Sequence, residues 1–224
     1  MCHSTFWSTI PPAPEVSPFP FRHLASGVEE VDSFTFNCHK WLMVNFDCSA
    51  MFVRDSSHLV EAFNVEPLYL KHDHENTSVP DYRHWQLQLG RRFRSLKLWM
   101  VLKTYGVVAL QEHVRKQTAL AMHFKRLVES DVRFTIFHEV VMGLVCFRYE
   151  VGGNRANEEL HRRVNGAGII HMTPSKVANK FVMRFVVGSR LTEVEDVEFA
   201  WKEILKHADE MERERQGRRT DTRR

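Results

Sequence analysis

The segment around Lys40 combines residue types that could support covalent chemistry. Asn37, His39 and Lys40 form a polar cluster between apolar flanks that begin at Phe34 and end at Phe46. A lysine that is partly removed from water is more often neutral, and its amine can then form a Schiff base with an aldehyde cofactor. A lysine can equally extend its ammonium group into water while its methylene stem packs against apolar neighbours. The spacing alone leaves both interpretations open.

Two other clusters could bind a charged ligand. The run His72–Glu75 reads His-Asp-His-Glu, and these side chains coordinate divalent metals in many proteins. Neighbouring ligands on a polar loop lack the fixed geometry of a metal site, so we predict no metal here. Arg91 and Arg92 could hold a carboxylate in a bidentate manner or form structural ion pairs at a helix start, and the pattern favours neither.

The elements that must position Lys40 are predicted from the distribution of apolar residues. Residues 33–53 are rich in aromatic and β-branched side chains, with a polar interruption at 37–40. This pattern predicts two buried strands, over 34–36 and 41–46, around a polar loop. Residues 56–66 are expected to form a short helical or irregular connection.

Downstream, the chain changes from a polar segment to helical spacing. Residues 70–83 are almost entirely polar and contain Pro80, which predicts a mobile surface loop. Apolar residues then recur at helical intervals over 91–105 and 109–129. Gly106 separates the two segments, so we predict two helices.

The last third of the chain predicts a small α+β unit in which helices cover one face of an antiparallel sheet. Asn154 or Asn157 could cap its first helix, and Thr192 with Glu195 could form a capping box for its second. The predicted order is strand, strand, helix, strand, strand, helix, over 134–137, 144–149, 157–165, 169–173, 181–187 and 194–211.

Composition indicates a globular chain and argues against nucleic-acid or membrane binding. Hydrophobic residues make up 43% and charged residues 26%, close to globular averages. The net charge of +3 comes largely from C-terminal arginines that alternate with acidic residues, so they form no surface of one sign for phosphates. No apolar run approaches the ~18 residues of a membrane span. Four scattered cysteines suggest neither a disulfide framework nor a zinc site, and favour a reducing, cytoplasmic setting.

Long segments of the chain resemble a known family. Residues 37–41 read Asn-Cys-His-Lys-Trp, residues 44–51 read Val-Asn-Phe-Asp-Cys-Ser-Ala-Met, and residues 89–97 read Leu-Gly-Arg-Arg-Phe-Arg-Ser-Leu-Lys. With shorter segments they cover about residues 21–212 and resemble the group II pyridoxal-phosphate-dependent decarboxylases. His39 and Asn45 follow the pattern of the aromatic L-amino acid (DOPA) decarboxylases within that group. The shorter matching segments are 69–72, 81–86, 113–116 and 143–148.

The resemblance implies roles for individual residues, with pyridoxal 5′-phosphate as the cofactor. Lys40 matches the lysine that binds the cofactor covalently, Asn37 a residue that hydrogen-bonds its phosphate, and His39 a residue close to cofactor and substrate. Tyr69 matches a tyrosine on a mobile loop that protonates the substrate carbon after carbon dioxide leaves; an aromatic contact between loop and helix is the structural alternative. Cys38 stands where the family usually has proline, which is expected to loosen the turn that directs Lys40.

The resemblance also implies a domain organisation. The expected fold is α/β, like the fold-type-I pyridoxal-phosphate-dependent transferases, with a truncated large domain and a small C-terminal α+β domain. The family's upstream residues that hold the cofactor ring have no match, so activity of this chain alone is uncertain, and strand edges and apolar faces are expected to be exposed. The expected parts are a Pro-rich unmatched leader (1–20), the large-domain portion (21–130) with a mobile catalytic loop at about 69–84, the small domain (131–212) and a charged tail (213–224).

The function that the resemblance implies is decarboxylation of aromatic L-amino acids to amines and carbon dioxide. DOPA, 5-hydroxytryptophan and tyrosine all remain open as substrates. The family forms homodimers, so one alternative is a non-catalytic fragment that associates with a full-length subunit. Another alternative is an oxidative aromatic aldehyde synthase of the same family, which Tyr69 disfavours because such enzymes tend to carry phenylalanine there.

Overall fold

A computed structural model describes residues 22–64 and 81–221 of the chain. The chain divides into two units, with the boundary between Val107 and Val108. The first unit contains Lys40 and its neighbours. The second unit contains most of the buried apolar residues, and each unit is described by itself below.

The first unit is built on a β-hairpin whose long loop carries Lys40. Strands β1 (Ser33–Asn37) and β2 (Ser49–Val53) pair antiparallel, with Asn37 opposite Ser49. The predicted second strand at 41–46 is wrong, because residues 38–48 form a loop closed by backbone hydrogen bonds. Apolar content could not distinguish these cases, since a loop that buries some of its side chains also looks apolar in sequence; here Val44 is 2% exposed.

The hairpin exposes apolar side chains, as expected. Phe36, in the predicted strand at 34–36, is 3% exposed, but Phe46 is 83% exposed in the loop, and Met51 and Phe52 are 57% and 51% exposed in β2. A two-stranded sheet has two faces and two edges, and the described residues of this unit cover only part of them. The buried residues lie toward the loop and pack against Leu98 and Val101; they are Phe36, Cys38, Val44 and Cys48.

Helices complete the first unit and lead out of it. Helix α1 (Ser57–Phe63) agrees with the short helical connection expected there. Helix α2 (Arg94–Glu129) is interrupted at Gly106, whose φ of 67° and ψ of 175° are not helical. Glycine adopts a positive φ without the steric cost that a Cβ atom imposes, so Gly106 ends one helical segment and allows a second to begin. The predicted pair of helices is therefore confirmed, with a start at Arg94.

After α2, the elements of the second unit are β3 (Phe134–Ile136), β4 (Leu144–Tyr149), α3 (Gly153–Gly166), β5 (Thr173–Val177), β6 (Lys180–Val186) and α4 (Val194–Asp221). The four strands form an antiparallel sheet in the order β3–β4–β6–β5. Residues from the sheet and from α2, α3 and α4 form one core, in which the Phe124 ring stacks on Phe185 at 3.9 Å and meets Trp201 edge to face at 5.7 Å.

Strand β5 begins four residues later than predicted, because residues 169–172 do not form a strand. The Asn165 side chain takes the place of a strand partner there. Its Nδ2 donates to the Met172 carbonyl at 2.9 Å, and its Oδ1 accepts from the Met172 N–H at 2.9 Å. The backbone groups of Met172 are thus satisfied without a sheet ladder.

Both predicted helix caps are wrong in detail. Helix α3 begins after Gly152 (φ 97°) without a side-chain cap, and Asn157 lies inside the helix. At α4 the cap bond runs from the N–H of Glu193 to Asp196 at 2.9 Å, one residue beyond the predicted pair. The residue types correctly predicted that a helix begins nearby, but the exact first residue depends on the conformation of the preceding chain.

We predict that Asn157→Ala lowers the free energy of unfolding of the second unit. Asn157 is completely buried, and it bonds both the N–H of Tyr149 (2.8 Å) and its carbonyl (2.6 Å). Each buried backbone group left without a partner costs about 1–3 kcal/mol. Urea titration measures the change. Arg155→Ala, at an exposed position of the same helix, is the control, and equal effects of the two substitutions would contradict the prediction.

Candidate functional site

Lys40 lies in a tight turn directly after β1. Its backbone N–H donates to the Asn37 carbonyl at 3.1 Å, which closes the four-residue turn Asn37-Cys38-His39-Lys40. The Lys40 side chain is exposed and forms no ion pair with a described residue. The partial removal from water considered for this lysine is therefore not provided by the described residues.

The His39 ring is held against the opposite end of the loop. Its Nδ1 lies 2.9 Å from the backbone nitrogen and 2.8 Å from the carbonyl oxygen of Cys48. The backbone N–H of His39 donates to that same carbonyl at 3.0 Å. The ring edge also meets Phe46 at 4.9 Å between centroids. Cys48 thus fixes both the backbone and the side chain of His39.

These contacts favour one tautomer of the neutral His39 ring. The Cys48 N–H can be satisfied at Nδ1 only if Nδ1 is an acceptor, whereas the Cys48 carbonyl at 2.8 Å could accept from a protonated Nδ1. The carbonyl already has the His39 backbone N–H as a donor, so hydrogen on Nε2 is the arrangement that satisfies both backbone groups of Cys48. Nε2 has no hydrogen-bond partner among the described residues and is available to a ligand.

Asn37 presents a second donor. The Ser49 hydroxyl donates to Oδ1 of Asn37 at 2.5 Å, across the β1–β2 pair. The carboxamide oxygen is therefore engaged, and the Nδ2 amide group makes no hydrogen bond to a residue within 22–64 or 81–221. A carboxamide N–H is a neutral donor that suits a phosphate oxygen.

The residues present fit pyridoxal 5′-phosphate in their chemistry. Lys40 offers a primary amine for an aldehyde, and Asn37 and His39 each keep an N–H donor without a described partner for an anionic ligand. All three come from one turn at the end of β1. Asn37, His39 and Lys40, which lie within four positions of the sequence, thus share one turn in the structure.

Other predicted positions lie partly outside the described residues. Tyr69 and the run His72–Glu75 fall within 65–80, outside the described residues. Arg91 and Arg92 are exposed. Across residues 22–64 and 81–221 there is no group of three or more His, Cys, Asp or Glu side chains that could hold a metal ion.

Four residues of the site had no role assigned from sequence. Ser49 and Cys48 hold Asn37 and His39 as described. The Asp47 carboxylate accepts from Nε (3.1 Å) and Nη2 (2.8 Å) of Arg94. Asp47, Cys48 and Ser49 form a short run at the start of β2, which was a usable signal. Arg94 is 47 residues further along the chain, and no local pattern connects it to the loop.

Electrostatics support this arrangement. Hydrogen bonds from Arg94, reinforced by its charge, lower the pKa of Asp47 to about 2. Burial, together with the neighbouring Cys48, raises the pKa of the Cys38 thiol to about 12, so Cys38 is neutral at physiological pH. The loop therefore presents an ionised Asp47 to Arg94 and keeps an uncharged thiol in its interior.

A family model described as the pyridoxal-dependent decarboxylase conserved domain matches residues 16–150. The chain belongs to this family. The resemblance noted from the Lys40 segment is thus confirmed, and pyridoxal phosphate is the cofactor on which the family depends. No helix in the described part of the chain is long and apolar enough to cross a bilayer.

Curated relatives are named aromatic-L-amino-acid decarboxylases. The chain is 57% identical over 184 residues to the Manduca sexta protein, which covers 82% of this chain and 36% of that protein. It is 54% identical over 194 residues to the Drosophila melanogaster protein, covering 87% of this chain and 38% of that one. The chain therefore spans well under half of the length of these relatives.

Solved structures are similar in fold. The crystal structure of Oryza sativa TDC with PLP and tryptamine superimposes with a TM-score of 0.80 at 43% identity, over 86% of this chain and 41% of that chain. Rhodiola rosea 4-hydroxyphenylacetaldehyde synthase gives a TM-score of 0.75 at 34% identity, over 85% and 40%. The mixed helix and sheet of this chain agrees with the predicted α/β class at this level.

We predict that the stabilising effect of Asp47 is lost in acid. A carboxyl whose pKa is lowered by folding stabilises the folded state above its unfolded pKa of about 3.9, and that stability disappears as the pH falls through the folded value. The difference in free energy of unfolding between the wild-type chain and Asp47→Asn should therefore be constant at neutral pH. It should shrink as the pH falls from about 4 toward 2.

Urea titrations at stepwise pH measure this difference. Asp32→Asn is the matched control, because Asp32 is 96% exposed and its charge partner Arg54 is 4.0 Å away. A difference for Asp47→Asn that stays constant down to pH 2 would contradict the assignment of the ion pair.

Proposed function

We propose that this chain is part of a pyridoxal-phosphate-dependent carboxy-lyase that converts aromatic L-amino acids to amines and carbon dioxide. The observation that carries the proposal is the turn that presents the Lys40 amine beside two hydrogen-bond donors, within a chain of the pyridoxal-dependent decarboxylase family. Relatives named aromatic-L-amino-acid decarboxylases, at 51–57% identity, support the substrate class.

Each site residue has a distinct proposed role. Lys40 would hold the cofactor through its amine, which is exposed at the turn and accessible to an aldehyde. The Asn37 Nδ2–H would donate to the phosphate, and the Nε2 side of the His39 ring would lie close to cofactor and substrate. When bound, the cofactor supplies an electron sink for the pair of electrons that the departing carboxylate leaves behind.

Tyr69 is the proposed proton donor. The resemblance places its phenol on a loop at about 69–84 that covers the site, where it delivers a proton to the substrate carbon after carbon dioxide has left. Water excluded by such a loop cannot divert the reaction. Tyr69 lies outside the described residues, so this role rests on the sequence match.

The finer organisation is also proposed. Residues 21–130 would form the C-terminal part of a fold-type-I large domain, and residues 131–212 the small domain, between the leader 1–20 and the charged tail 213–224. The assembly would be a cytoplasmic homodimer acting on substrates such as the catecholamine precursor DOPA. Pairing with a full-length subunit is a second candidate, favoured by the exposed apolar residues Phe46, Met51 and Phe52 of the hairpin.

An oxidative aldehyde synthase is a third candidate. The similarity to the Rhodiola rosea synthase at a TM-score of 0.75 favours it, since the fold accommodates both outcomes. Tyr69 opposes it, because a proton delivered quickly to the substrate carbon leaves less opportunity for reaction with oxygen. The two activities differ in products and are therefore separable by assay.

We predict that Lys40 is the site of covalent cofactor attachment. Incubation of the chain with pyridoxal phosphate followed by borohydride should add one reduced pyridoxyl phosphate group at Lys40, and Lys40→Arg should abolish this label. Peptide mapping by mass spectrometry measures it. Lys97→Arg, at another lysine of the first unit, is the matched control and should leave the label unchanged. Equal labelling of Lys40 and Lys97, or no label on Lys40, would overturn the assignment.

We predict that Tyr69→Phe shifts the reaction from amine toward aldehyde. The experiment uses a chimera in which this chain follows the upstream part of the Manduca sexta relative, assayed for amine, aldehyde and hydrogen peroxide. Removing the proton donor should lower amine formation by about 10²-fold or more, because positioned acid catalysis typically contributes that much. Tyr82→Phe is the control. Unchanged amine formation in Tyr69→Phe would remove Tyr69 from the mechanism.

A further inference from the structure

The orientation of His39 depends on a residue that is not part of its own element. The ring accepts from the N–H of Cys48, which follows directly after Asp47 and precedes β2. A shift of this short segment by an ångström would break the 2.9 Å contact to Nδ1. The ring would then lose the donor that keeps Nδ1 unprotonated. What holds residues 47 and 48 in place therefore decides what His39 presents to the site.

Arg94 holds them from outside the hairpin, in addition to the hydrogen bond from the His39 backbone N–H to the Cys48 carbonyl. Its guanidinium donates twice to Oδ2 of Asp47, at 3.1 Å and 2.8 Å. Its own carbonyl lies 3.9 Å from Sγ of Cys48, within the range of a thiol hydrogen bond. Two consecutive loop residues are thus attached to one residue, and that residue is the first of helix α2.

The helix makes a firm support for this loop. Leu98 and Val101 of α2 pack against the buried cluster that includes Cys48, so the helix start is fixed by packing as well as by charge. Cys48 itself is 4% exposed. The Asp47 and Arg94 side chains are each about one third exposed, which leaves the ion pair partly shielded from water and from salt.

We propose that Arg94 is a positioning residue for the cofactor site, acting through Asp47 and Cys48 to hold the His39 ring in the tautomer with hydrogen on Nε2. The effect is transmitted through two hydrogen-bonded contacts, from the guanidinium to the Asp47 carboxylate and from the Cys48 N–H to Nδ1. The peptide bond between Asp47 and Cys48 joins them. Arg94 itself contacts neither substrate nor cofactor. The link from the His39 tautomer to catalysis rests on the proposed function, but the tautomer is a property of the chain and can be measured without cofactor.

The test is nuclear magnetic resonance of the whole chain labelled with ¹⁵N-histidine and without added cofactor. The Nδ1 and Nε2 shifts of His39, assigned by their loss in His39→Gln, report the tautomer. The wild-type ring should show hydrogen on Nε2. In Arg94→Gln and in Asp47→Asn the ratio of the two tautomers should fall about fivefold, the change expected when one ordinary hydrogen bond is lost.

Three further variants separate positioning from general loss of structure. The double variant Arg94→Gln/Asp47→Asn should resemble either single variant, because both substitutions interrupt one path. Arg94→Lys keeps the charge and should restore part of the wild-type ratio. Arg54→Gln breaks the ion pair to Asp32 at the other end of the hairpin and should leave the His39 signals unchanged.

The outcomes are decisive in both directions. A changed tautomer ratio in Arg94→Gln, with the cross-strand β1–β2 contacts still observed, supports the proposal. Wild-type His39 signals in both Arg94→Gln and Asp47→Asn overturn it, and so does an equal change in Arg54→Gln. If Arg94→Gln does not fold, Asp47→Asn gives the decision, because it removes the carboxylate from the same contact.

Failure of the proposed function would look different. Borohydride labelling of Lys40 on the same wild-type sample tests cofactor binding separately. A chain that shows the predicted tautomers but takes no label on Lys40 would refute the cofactor assignment and leave the positioning role intact. A chain that labels at Lys40, with tautomers that do not respond to Arg94 or Asp47, would refute only the positioning role.

Discussion

The site around Lys40 depends on the pair of hydrogen bonds that joins His39 to Cys48. The backbone N–H of His39 donates to the Cys48 carbonyl, and the Cys48 N–H donates to the His39 ring. This pair closes the loop between β1 and β2. It sets the register that puts Asn37 opposite Ser49, and it leaves the turn to Lys40 as the outermost part of the hairpin. The Lys40 amine, the Asn37 Nδ2 group and the His39 Nε2 group therefore lie within four consecutive residues, and none has a partner among the described residues.

The two units of the chain have different sources of stability. In the second unit, aromatic and aliphatic side chains from strands and helices form a core, and the buried Asn157 side chain is hydrogen-bonded through both its Oδ1 and its Nδ2. In the first unit, the described buried cluster is small, and polar contacts from Arg94 and Ser49 add to it. The candidate chemistry thus lies where burial is least. Apolar residues such as Met51 and Phe52 are more than half exposed in this unit.

Cys38 shows how this chain adjusts the turn. It occupies the second position of the turn that ends at Lys40, where proline is favoured because its φ is already set. Here the side chain is instead completely buried, and the pKa of its thiol is raised by burial and by Cys48. Packing of the thiol beside Cys48 therefore takes over part of the restriction that a proline ring would provide. Burial of this side chain thus adds to the backbone hydrogen bond from Lys40 to Asn37 that closes the turn.

The sequence by itself determined the family, the cofactor and the residues of the turn, because their chemistry lies within a few consecutive positions such as Asn37, His39 and Lys40. It also placed the break at Gly106 and the antiparallel order of the second unit, since both follow from local periodicity and glycine conformation. It misplaced the second hairpin strand and the helix caps, which depend on register. Only the tertiary structure revealed Arg94 beside Asp47, because a contact between residues 47 positions apart leaves no local pattern. The surroundings of the His39 ring likewise came only from folding, which brings both backbone groups of Cys48 to Nδ1.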